Sequence, residues 1–64
     1  MDINDFILAI ITQRENKDKV DSGSAPIFYG EDKEEVEYIS MLLSRLTMSM
    51  VHDLGNGVYI LIKH

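Results

Sequence analysis

The sequence predicts an α+β domain in the order helix, short strand, long helix, strand (α-β-α-β), completed by dimerisation. Three observations lead there. Apolar residues recur at intervals of three and four along residues 2–15 and 31–53, the spacing that gathers them on one face of a helix. Residues 26–30 and 58–62 are runs of β-formers beside Pro and Gly. As a helix, residues 31–53 span about 34 Å. A compact chain of this length has a radius of gyration of about 11 Å. One protomer is then too small to cover the helix, and a second copy is expected to do so.

In residues 2–15 the helical face is Ile3, Phe6, Ile7, Ile10, Ile11 and Arg14. Asp2 and Asp5 stand where the positive end of a helix dipole favours carboxylates, and Asp2 or Asn4 suits the N-cap. The run Ile10-Ile11-Thr12 is β-branched and suits a strand as well. Residues 16–25 are polar, carry Gly23 and read as a mobile loop. Pro26 lacks an N–H, so Pro26–Gly30 belongs at the start of a strand or on a sheet edge.

Residues 31–53 open with Glu31, Asp32, Glu34, Glu35 and Glu37. They continue with Val36, Ile39, Leu43, Leu46 and Met50, an alternating seam that serves as core or dimer contact. Leu42 widens the seam and Tyr38 flanks it. Gly55 suits the left-handed residue after a helix, and Asn56-Gly57 a turn. Val58–Ile62 is nearly continuous in apolar residues, as in a strand buried on both faces. It is expected to pair with residues 26–30, in parallel across the long helix or with a second chain.

The 64 residues make one small domain, 1–64, whose core alone contributes little stability. There is no cysteine, so disulfides and thiolate metal sites are out, and His52 and His64 cannot complete a zinc site by themselves. No metal or cofactor is expected. The net charge of −5 disfavours direct binding to nucleic acid or to an anionic membrane. The acidic start Met1–Asp5 lacks a basic n-region, and no run reaches the length of a membrane span, so a cytoplasmic location is expected.

No catalytic set emerges. His52 and Asp53 are adjacent and would not face each other on a helix. Ser40, Ser44, Thr47 and Ser49 sit in no nucleophile motif, and Gly55-Asn56-Gly57 matches no phosphate loop. The acidic run Glu31–Glu37 is either a well-capped helix start or a patch for a basic partner. Met41 and Met48, off the seam, are candidate contact residues, and Met50 reads as core filler. The expected function is a non-enzymatic, dimeric interaction module that modulates or inhibits a partner protein. Its size suits a phage or bacterial regulator. Two alternatives are an acidic DNA mimic that occupies a basic DNA-binding protein, and a small-ligand carrier at a dimer interface.

Overall fold

The computed structural model describes residues 7–18, 20 and 25–63. They form β1 (Ile7–Gln13), a 3-10 turn at Arg14–Asn16, β2 (Ile27–Gly30), α1 (Lys33–Thr47), β3 (Met50–Asp53) and β4 (Val58–Ile62). The strand order is β2-β1-β4-β3. β1 runs parallel to β2 and antiparallel to β4, and β3 runs antiparallel to β4. The class is α+β as expected, with one helix and four strands among the described residues.

The first correction concerns residues 7–13, which are a strand rather than part of a helix. Residues 2–6 lie outside the described residues. Ile7 to Ile11 are all apolar, and an unbroken apolar run satisfies helical spacing by default. β1 is the strand that needs such a run, because it is central and covered on both faces. Ala9 and Ile11 point to α1, and Ile10 and Thr12 to the other face. The β1–β4 register shifts between Ile7 and Ala9. This bulge brings Leu8 as well as Ala9 against the helix-side core.

The second correction concerns the long helix. Thr47 is the last residue of α1, and Met48 follows in the left-handed conformation, φ 55° and ψ 44°. The N–H groups of Met48 and Ser49 both donate to the Ser44 carbonyl, the latter at 3.0 Å. Residues 50–53 then reverse into β3. A 15-residue helix is about 22 Å long. The domain's longest dimension is 31 Å. The helix fits within its own chain, and a second copy is not needed to cover its length. Gly55 is accordingly not a helix stop. It and Gly57, with φ of +83° and +86°, shape the β3–β4 hairpin loop.

The third correction concerns pairing. β2 and β4 do not touch as neighbours, because β1 lies between them. β2 is an edge strand that Pro26 immediately precedes, and the Pro26 carbonyl accepts from Ile10 N at 2.9 Å.

The core between sheet and helix is Ala9, Ile11, Val36, Tyr59 and Leu61, with Leu8, Ile39 and Leu43 packed against it. Gly30 lets α1 start directly on β2, since a Cβ there would lie 2.9 Å from both Cγ2 and N of Val36. Thr12, fully buried, donates to the Gly57 carbonyl at 2.9 Å and accepts from Asn16 Nδ2 at 3.0 Å. These bonds tie the hairpin loop to the end of β1.

Candidate protein-docking site

The acidic residues divide by what they hold. Asp32 is the N-cap of α1, its Oδ1 accepting from Glu35 N at 2.8 Å. Glu35 reaches back to accept from Glu31 N at 3.1 Å. This is a capping box displaced by one residue. Glu31 pairs with Arg14 at 2.8 Å, both side chains well exposed. The hydrogen bond first, and then the charge of Glu31, raises the Arg14 pKa above its ordinary value. The same guanidinium lies 5.8 Å from the Tyr29 ring centroid. Glu37 accepts from the Tyr59 hydroxyl at 3.3 Å. Glu34 is exposed in the first turn of α1. The acidic run thus starts the helix and fastens it to β4. Asp2 and Asp5 lie outside the described residues.

The apolar seam splits as well. Val36, Ile39 and Leu43 turn to the core, whereas Leu46 is 71% exposed and Met50 56% exposed. Leu46 lies in the last turn of α1, and Met50 is on edge strand β3 rather than on the helix. On the opposite side of α1, Tyr38, Met41 and Leu42 are also exposed. Their spacing of three and four puts them on one stripe with Arg45. Among the described residues, eight of the nine exposed large apolar side chains fall between Tyr38 and Leu54. Apolar exposure is therefore concentrated on α1 and the strand that follows it. Sequence reasoning missed Tyr38 and Leu42 as surface residues because it placed them on or beside the core or dimer seam, and it missed Val51 because it put residues 50–53 in the helix.

Between α1 and β3 runs an open groove of about 270 Å³, lined by Glu37, Ser40, Met41, Ser44, Val51 and Tyr59. A second, more polar cavity of about 220 Å³ lies at the start of α1 and includes Lys33, Asp53, Gly55 and Tyr59. Tyr59 lines both. Burial, then the charges of Asp53 and Glu37, and lastly the bond to Glu37 raise the Tyr59 pKa above its ordinary value of 10.0. Asp53 stands directly opposite Tyr59 in the β3–β4 register, which explains its influence.

The hydroxyls that a catalytic reading would need are engaged locally. Ser40 donates to the Val36 carbonyl at 2.7 Å, Ser44 to that of Met41 at 2.8 Å and Thr47 to that of Leu43 at 2.7 Å. Thr47 and Ser49 share a 2.6 Å bond. His52, half-buried on β3, alternates with Val51 and Asp53 and so faces away from these helix hydroxyls. No helix of the described residues is long and apolar enough to cross a membrane.

The uncharacterized protein YpzH of Bacillus subtilis (strain 168) is 34% identical over 58 residues, covering 91% of this chain and 86% of that protein. No solved structure matches significantly. Residues 4–64 match the family model described as "Capping complex subunit for YIEGIA", and the chain belongs to that family of protein-assembly subunits.

Proposed function

We propose that this chain is a non-enzymatic subunit that grips a partner protein through the outward stripe of α1 and the neighbouring edge β3, and thereby modulates or inhibits that partner. YIEGIA, named in the family's description, is the partner to test first. The observation that carries this reading is the concentration of exposed Tyr38, Met41, Leu42, Leu46 and Met48 on one small domain. Tyr and Met supply large contact area that adapts to a partner. The local engagement of Ser40, Ser44 and Thr47 supports a binding role over a catalytic one.

The test is co-purification with tagged YIEGIA of the same organism. A Met41→Lys, Leu42→Lys double variant is expected to lose capture, and a Glu31→Lys, Glu34→Lys, Glu35→Lys triple variant to keep it. The reverse pattern would sink the apolar reading in favour of a basic groove as the partner. A second reading keeps the homodimer expected from the sequence, because the same apolar stripe can bury against a second copy. Light scattering that gives the mass of one chain at high concentration removes it.

A further inference from the structure

We infer that the outer edge of β3 and the groove beside it form one receptor for an extended segment of the partner protein, which adds a strand next to β3 and brings a cationic side chain to Glu37 and Asp53. This rests on the reading that the chain holds a partner protein, and specifies how.

The backbone comes first. Among the described residues β3 ends the sheet, and Leu54 N donates to the Val58 carbonyl at 3.0 Å. Hydrogen-bonded pairs alternate along an antiparallel ladder. Counting back from Leu54, His52 and Met50 face β4, so the peptide groups of Val51 and Asp53 point away from the sheet. Two outward N–H and C=O pairs at that spacing are what an added strand engages. Proline and lysine, which blunt many edges, are absent from Met50–Asp53, and its one charged residue, Asp53, repels an acidic strand but not a basic one. The other edge, β2, follows Pro26.

The groove supplies side-chain selectivity. Val51 points to the helix side and lines the groove with Met41 and Ser44. A strand added beside β3 would lie about 4.8 Å farther out, with alternate side chains on that side. One of them drops between Met41 and Val51, and this position favours an apolar residue of moderate size. Toward the start of α1, the next helix-side position meets Glu37 and Asp53, whose charges both act on the Tyr59 hydroxyl. That end selects a Lys or Arg. The same charges, on a chain of net charge −5, disfavour a second copy as the occupant.

The test is residue-level amide exchange on the full chain, free and in complex with YIEGIA of the same organism. The amides of Val51 and Asp53 are expected to slow by about tenfold or more in the complex. Ser44→Phe, which fills the groove, and Asp53→Lys, which reverses its charge, are expected to weaken binding by about tenfold or more each, with native circular dichroism retained. A stable complex with unchanged exchange at Val51 and Asp53, and undiminished binding by both variants, overturns the strand-addition site and leaves the partner-binding reading standing. Absence of any complex with the unmodified chain overturns the partner reading and this inference with it.

Discussion

Met48 is a side chain in a conformation that glycine adopts more readily. Its left-handed backbone closes α1, yet the side chain is 89% exposed and gives the core little. The left-handed region costs an L-residue roughly 1–2 kcal/mol. Met48→Gly is therefore expected to stabilise the free chain by about 1 kcal/mol in urea unfolding. If Met48 also touches the partner, the same variant binds more weakly. A gain in both stability and affinity would remove Met48 from the docking surface. Tyr59 offers a pH-dependent counterpart. Its raised pKa means that the folded chain keeps the phenolic proton to higher pH than the unfolded chain does. That contribution is intact below the ordinary value of 10.0 and is lost as pH rises through the folded value. Stability of the unmodified chain should fall more steeply above pH 10 than that of Tyr59→Phe, as followed by thermal melting against pH. Parallel curves would mean that neither burial nor the charges of Asp53 and Glu37 hold the Tyr59 proton.

At the scale of elements, α1 depends on its first turn. Asp32→Ala removes the acceptor for Glu35 N and should cost about 1 kcal/mol. Chemical denaturation measures it, and an unchanged midpoint would show that the Glu35–Glu31 bond suffices alone. The start of this helix was legible in the sequence because carboxylates at an N-terminus have a local physical cause. β4 was legible too, since five consecutive β-formers have few other uses. The end of α1 was not. Leu46 and Met50 continue the seam's spacing, and a periodic pattern does not register that the chain has turned at Met48. The available signal lay further on. Gly55-Asn56-Gly57 stands between Met50-Val51-His52 and Val58-Tyr59-Ile60, which is the sequence of a hairpin rather than of a helix stop. β1 was hidden for a different reason, because a central strand needs no alternation. The candidate site was half legible: Met41 and Met48 stood out by lying off the seam, whereas the Val51 edge exists only once β3 does.

For the whole molecule, the decisive quantity is how little interior it has. Among the described residues the fully buried side chains of the core cluster are few, and the radius of gyration is 10.8 Å. Domains of this size bury about 60% of the surface of their unfolded chains and keep a narrow stability margin. A partner that covers α1's stripe and the edge of β3 extends the interior at the place where the chain leaves it open. Because that site exists only in the folded chain, partner binding must stabilise folding. Free partner at about 100 times Kd contributes about 2.7 kcal/mol. In a domain this small each kcal/mol moves Tm by roughly 4–8 °C. A melt of the chain, followed by a probe specific to it, should therefore rise by something on the order of 10–20 °C when YIEGIA saturates it. The rise should grow with partner concentration and shrink for the Met41→Lys, Leu42→Lys variant with the logarithm of the affinity lost. A saturated complex that melts at the temperature of the free chain would mean that the unfolded chain binds equally well. Docking on a surface made by folding α1 against β3 is incompatible with that result.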